Sequence, residues 1–322
     1  MWGARHDPPT AANREAEMSG AQQVLAAGPS VSVSGPGQPP GHRRLHGSDR
    51  ILAIAFVAPY AAIFVAFAVY PIGYALWMGS TPSLYADLIH DPRYLRSVVN
   101  TLLFVGIGVN VKMFLALLLS GFFMRPRWWI KTLLVVYVVP WTLPAVQACI
   151  SFHWMLSGEE GLVDRLLSVL FGVDGPIWFN HRSLALGANI VAYVWKWMPF
   201  WTVIFLAGRM AIPQDVSDAA AVDGASGSRR FVHVTLPLLA NLYLVCTLLS
   251  TIWTMGEFTT VYFVSGGAPV WATDVLATLG FHYAFDVANP ALGVAAAMSM
   301  LPVLVPVVIV LMRRLQTRTV QL

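Results

Sequence analysis

Beyond residue 47 the chain alternates long apolar runs with short polar intervals. The runs occupy 51–78, 98–124, 132–157, 184–208, 237–256 and 289–312. At about 1.5 Å of rise per residue, each is long enough to cross a hydrocarbon core roughly 30 Å thick. Four of them contain no Asp, Glu, Lys or Arg, and the other two carry one lysine each, Lys112 and Lys196. The pattern predicts an all-α integral membrane protein with six transmembrane helices over 48–315. Residues 1–47, rich in Gly, Pro, Ala, Ser and Gln, are predicted to be a disordered tail, because such a mixture buries too little apolar area to offset its ordering entropy. No apolar stretch follows Arg5 and Arg14 as one would in a secretory signal. Residues 316–322 form a short second tail.

Composition supports this reading and excludes a soluble domain. Hydrophobic residues make up 57% of the chain and charged residues 11%, against roughly 45–50% and about 25% in soluble domains; the mean hydropathy is +0.64. The net charge of +4 and the pI near 9.2 would fit a nucleic-acid partner only if the basic residues clustered on one surface. They sort by side of the membrane instead. Arg43, Arg44, Arg50, Arg125, Arg127, Lys131, Arg209, Arg229, Arg230, Arg313, Arg314 and Arg318 fall on one side, and Arg93, Arg96, Arg165 and Arg182 on the other. The positive excess marks the cytoplasm, so both termini are expected there. Cys149 and Cys246, each inside an apolar run, read as packing residues.

The connection 209–236 is too patterned for a linker. Asp215 and Ser217 are available as N-cap side chains, Ala219, Ala220 and Ala221 favour helix, and Gly224 after Asp223 ends it. A second short segment with Phe231, Val234 and Leu236 on its apolar side follows, and Pro237 is expected to open the next membrane helix. A helix, a glycine turn and a second helix at the cytoplasmic surface make a docking knob.

The spacing of Asp218, Ala219, Ala220, Asp223, Gly224, Ala225, Phe231, Leu236 and Pro237 resembles the coupling motif of bacterial ABC importer permeases. Asp218 stands where that family usually has Glu. The resemblance covers roughly 50–315, includes VYPIGYALWM, NTLLF, WKWMPF and TVYFVSGGAP, and points to the carbohydrate-uptake class of maltose, trehalose and glycerol-3-phosphate type. It implies the type I importer permease fold, the bacterial inner membrane, a second permease subunit as a heterodimer partner, two cytoplasmic ATPase subunits that hold ATP and Mg, an extracytoplasmic binding protein, and a carbohydrate solute. The element 215–237, with Asp215 included, is the expected ATPase contact. The chain lacks a G-x-x-x-x-G-K-[ST] phosphate loop and the HExxH and GxSxG signatures, so no catalytic residue, cofactor or metal site is assigned to it and the energy is expected from a partner. An ion-gradient-driven secondary transporter is the alternative, though such proteins commonly show inverted repeats and none is visible.

Polar side chains within spans usually face a cavity. In the fifth run Thr247, Ser250, Thr254 and Glu257 fall on one helical stripe, and in the fourth Asn189, Tyr193, Lys196 and Trp197 do the same. Trp141, between Pro140 and Pro144, joins them from the third. Aromatic platforms with hydroxyl, amide and carboxylate partners suit a sugar, and in the maltose-type relatives the resemblance implies that these stretches line the solute pocket. Lys112 is left to snorkel or to meet the second permease, and Lys196 has Glu257 as a possible partner.

Overall fold

The computed structural model describes residues 47–158 and 161–319; the tail predicted over 1–47, apart from Gly47, and the last three residues lie outside this range. The chain divides after Ile63 into two compact units. In the first, α1 (Gly47–Phe64) begins. A π-turn, Val65–Val69, and α2 (Tyr70–Met78) carry the helix on, and Ile54–Met78 is long and apolar enough to cross a membrane.

In the second unit α3 (Pro82–His90) precedes α4 (Pro92–Phe123). The second span therefore starts at Pro92, six residues before the apolar run. Asp91 is its N-cap, accepting from the Arg93 amide at 2.8 Å, and Pro92 takes a first-turn position where no N–H is needed.

The third span is not one helix. It is α5 (Trp128–Thr142) and α6 (Ala145–Met155), set at 96° to each other. Pro144 explains the break: it forces Leu143 out of the helical region, to φ −65° and ψ 143°. By length and composition the described residues hold five spans, or six when the bent pair is one crossing.

The short α7 (Leu162–Phe171) leads to α8 (Arg182–Met210), the fourth span, which packs most extensively on α4. Then come α9 (Gln214–Val222) and a continuous helix made of α10 (Gly227–Arg230), a π-turn (Phe231–Thr235) and α11 (Leu236–Met255). The fifth span thus runs Gly227–Met255, ten residues longer at its start than expected, and Pro237 lies inside it. The π-turn accommodates that proline, since the Leu236 amide reaches back to Phe231 O one residue ahead of the position that has no N–H to give. The same device precedes Pro71, where the Tyr70 amide reaches Val65 O.

The segment between the fifth and sixth spans is folded into α12 (Thr259–Val264), α13 (Leu276–Phe281) and a π-turn (His282–Asp286), before α14 (Pro290–Met298) and α15 (Leu301–Thr319). Alpha-13 and α14 touch at backbone distance. A Cβ on Gly280 would stand 2.9 Å from the Gly293 carbonyl, so only glycine fits this crossing. Asn100 fastens the segment to α4, donating from Nδ2 to Ala272 O at 2.9 Å and Asp274 O at 2.8 Å, while Arg182 donates to its Oδ1 at 2.6 Å.

The main core lies among α4, α8 and α11, with Val109, Met113, Leu117, Trp201, Phe205, Leu239 and Cys246 buried together. Cys149 packs in a second cluster with Ala188, Ala192 and Val264; both thiols are free and buried.

Candidate functional site

Helix α9 starts from Pro213, whose φ −56° and ψ 140° give it the N-cap conformation without a side-chain cap. Asp215 is therefore a first-turn residue, favoured by the helix dipole, and not an N-cap. The C-terminus closes as a Schellman turn: the Ala225 amide bonds to Ala220 O at 2.9 Å and the Gly224 amide to Ala221 O at 3.1 Å. Gly224 holds φ +73°, a conformation that costs any residue with a Cβ.

The motif residues then part into two sets. Asp215, Asp218, Ala219, Asp223 and Gly224 are exposed, and Ala220 is buried. Phe231 and Leu236 are partly buried against the main core, and Pro237 stands exposed one residue on. A concavity of about 420 Å³ lies between α9 and the start of the fifth span, lined by Val216, Ala219, Ala220, Asp223, Arg229 and His233 among others.

Sequence reasoning missed Arg209. Counted only as a basic residue of the cytoplasmic side, it is almost fully buried. Its Nε donates to Ser120 Oγ at 2.7 Å and its Nη2 to Leu117 O at 2.9 Å, and its guanidinium lies 5.3 Å from the Phe231 ring. The last turns of α4, the end of α8 and the motif phenylalanine are joined through one side chain. Its place directly after the fourth apolar run, within one turn of Ile212-Pro213, was the available signal.

The predicted lining residues come together only in part. Lys112 neither snorkels nor faces outward. It is 1% exposed and donates to Tyr193 Oη at 2.8 Å, 4.2 Å from the centre of that ring. Tyr193 in turn bonds Thr254 Oγ1 at 2.6 Å, and Thr254 donates to Ser250 O at 2.5 Å. This directed chain crosses from α4 through α8 to α11. Asn189 donates to Ser265 Oγ at 2.9 Å. Two buried polar atoms on these stripes, Asn189 Oδ1 and Ser250 Oγ, have no partner.

Lys196 does not meet Glu257. Its ammonium donates to the carbonyls of Pro140 at 2.8 Å, Trp141 at 3.1 Å and Leu143, the groups that the break at Pro144 leaves without helical donors. Glu257 instead accepts from the amide and hydroxyl of Thr260, both at 2.8 Å. Trp141 is 41% exposed and packs on Phe200, with ring centres 5.4 Å apart; Trp197 is partly buried, 5.7 Å from the Lys196 ammonium.

On the side of α8 opposite the coupling loop, His282 sits between Asp286, which bonds its Nδ1, and Asp274, 3.6 Å from its Nε2. Asp274 above all, and Asp286, hold this imidazole above its ordinary pKa although burial opposes the charge. Tyr283 donates to Asp91 at 2.6 Å.

A family model described as a binding-protein-dependent transport system inner membrane component matches residues 84–321. A sulfoquinovosyl glycerol transport system permease protein of Agrobacterium fabrum is 32% identical over 252 residues, 73% of this chain and 80% of that one. A trehalose/maltose transport system permease protein of Thermococcus litoralis is 30% identical over 249 residues, 72% and 83% of the two chains. Among solved structures, a bacterial ABC transporter involved in the import of the acidic polysaccharide alginate has a chain that superposes with a TM-score of 0.71 at 18% identity, covering 84% of this chain and 96% of that one, a likeness of fold.

Proposed function

The chain belongs to the family of binding-protein-dependent transport system inner membrane components, multi-pass proteins of the inner membrane, and we propose that it forms one half of the translocation pathway of an ABC importer for a carbohydrate. Family membership decides against the ion-gradient alternative. The rest of the machine comprises a second permease, two cytoplasmic ATPases that bind ATP and Mg, and an extracytoplasmic binding protein that delivers the solute. The permease domain occupies 48–315, between tails at 1–47 and 316–322, and both termini face the cytoplasm.

The observation that carries the coupling role is the division of the motif into an exposed and an anchored half. Asp215, Asp218, Ala219 and Asp223 project from α9 and its turn, where an ATPase groove receives them. Ala220 and Ala225 sit on the inner side of that knob, Phe231 and Leu236 anchor the start of the fifth span ahead of Pro237, and Arg209 links Phe231 to α4 and α8. A displacement of α9 therefore moves three spans together.

The solute path runs where the third, fourth and fifth spans meet, with Trp141, Trp197 and Glu257 presented and Asn189, Tyr193, Lys196, Ser250 and Thr254 behind them. The ammonium of Lys196 is occupied by carbonyls and that of Lys112 by Tyr193. This favours an uncharged oligosaccharide or polyol over a glycerol phosphate, which needs a free cation.

The test uses transporter complexes carrying Gly224→Asp or Asp218→Lys. Both are expected to assemble poorly or to hydrolyse ATP without moving solute. Wild-type uptake by both variants overturns the coupling assignment.

A further inference from the structure

Helix α7 has its polarity turned sideways. At 100° per residue, Asp164, Arg165 and Ser168 fall in one arc, and the remaining positions are Leu, Val or Phe. Part of that apolar arc faces the protein, with Val163 and Leu167 half-buried. The rest faces out: Leu162, Leu166, Val169, Leu170 and Phe171 are all exposed, Val169 at 75% and Phe171 at 72%. Val173 and Ile177, on either side of an exposed Asp174, are exposed as well.

Asp164, at one edge of the polar arc, turns inward. It is 6% exposed, and its Oδ1 accepts from Trp178 Nε1 at 2.7 Å. This bond pins the helix in one rotation about its axis. Arg165, at the other edge, is exposed.

Such a helix has three neighbours to satisfy: protein on one flank, an apolar medium on a second, and a polar one on the third. Water on all open sides would leave a row of large apolar side chains wet. A bilayer surface supplies both media at once. The chain passes from α6 into α7 and on to α8, a span, so the element is tethered at the membrane boundary opposite the coupling loop. Beneath it an apolar groove of about 440 Å³, lined by Phe152, Leu156, Val163, Trp178, Leu184 and Val191 among others, carries the apolar surface on to Val191, which is exposed on α8.

We propose that α7 is a membrane-surface helix. It lies in the headgroup region of the leaflet opposite the coupling loop, with Leu162, Leu166, Val169 and Leu170 among acyl chains, Ser168 toward water and Arg165 at the level of the lipid phosphates, where a guanidinium on a long stem is suited to sit. The occupant of the apolar face is phospholipid, and the amphipathic length of α7, its single inward carboxylate and the continuity of the apolar surface with α8 carry that choice.

The test places a nitroxide at Val169→Cys or Ser168→Cys in the transporter complex reconstituted in phosphatidylcholine–phosphatidylglycerol nanodiscs, with the two buried native thiols left in place and the unsubstituted chain as labelling control. Collisional relaxation by oxygen reports lipid, and relaxation by a water-soluble nickel chelate reports solvent. The expected result is strong oxygen and weak nickel relaxation at 169, with the opposite ratio at 168. Equal nickel access at both positions places the face in water and overturns the proposal. Exclusion of both relaxants at 169 means that another subunit covers it, and overturns the proposal equally.

Discussion

The ammonium of Lys196 stands where a broken span leaves carbonyls with no helical donor, and it supplies three hydrogen bonds that the backbone lost at Pro144. Lys196 is buried on α8, on the stripe it shares with Asn189, Tyr193 and Trp197. What the stripe could not show was its partner, because Pro140, Trp141 and Leu143 lie more than fifty residues earlier in the chain and carbonyls have no residue-type signature. Glu257, an acid at the end of the fifth apolar run, is not that partner, and the reason is the same: opposite charge is visible in a sequence and an orphaned carbonyl is not. A polar group left unpaired away from water costs about 1–3 kcal/mol, and Lys196→Met removes the donor from three part-buried hydrogen bonds. Its thermal unfolding midpoint in detergent is expected to fall well below that of the unsubstituted chain, whereas Lys196→Arg, which keeps donors in reach, falls less. Equal midpoints for Lys196→Met and the unsubstituted chain would show that solvent already satisfies these carbonyls.

At the scale of elements, what could be read beforehand was whatever is encoded by near neighbours. The six apolar runs, the helix of the coupling loop and its Gly224 stop follow from period, propensity and the left-handed turn. The ends were less legible: capping by Asp91-Pro92 lengthened the second span, and a π-turn around Pro237 merged two expected helices into one. The segment 257–288 gave no helical period at all, since α12, α13 and the turn at 282–286 are each five or six residues long and are held by contacts with other elements. His282 is one of those contacts. Asp274 and Asp286 face its ring nitrogens, Trp271 stacks on it at 5.4 Å with Arg93 over that indole, and Tyr262 lies 6.2 Å away. Because its pKa is raised on folding, the stabilisation it gives is complete below about 6.5, the ordinary value, and is lost as pH rises through the raised one. The gap in melting temperature between the unsubstituted chain and His282→Gln is therefore expected to be widest at acid pH and to close toward alkaline pH. A gap that stays constant with pH would leave His282 a packing residue without a charge contribution.

For the whole molecule the open quantity is parity. If α5 and α6 form one crossing, the chain has six spans and its termini share a side; if they dip in and return, it has five and the termini are opposed. Geometry alone allows either, but the basic residues separate the two. With six crossings the loops and tails sort twelve basic residues to one side and four, Arg93, Arg96, Arg165 and Arg182, to the other. With five, Arg165 and Arg182 change sides together with everything after them, so that Arg43, Arg44, Arg50, Arg125, Arg127, Lys131, Arg165 and Arg182 oppose Arg93, Arg96, Arg209, Arg229, Arg230, Arg313, Arg314 and Arg318. That is an even division, and an even division gives the membrane no orientation signal. The 96° bend is therefore expected to be a kink within a crossing, with Lys196 closing its inner corner. Single cysteines at Ser226 and Asp174, probed on intact cells with a membrane-impermeant maleimide, check this. Position 174 should label from outside and 226 only after lysis, while a cysteine at Arg127, before α5, should behave like 226. Labelling of 127 and 174 from the same side would establish a re-entrant pair and five crossings.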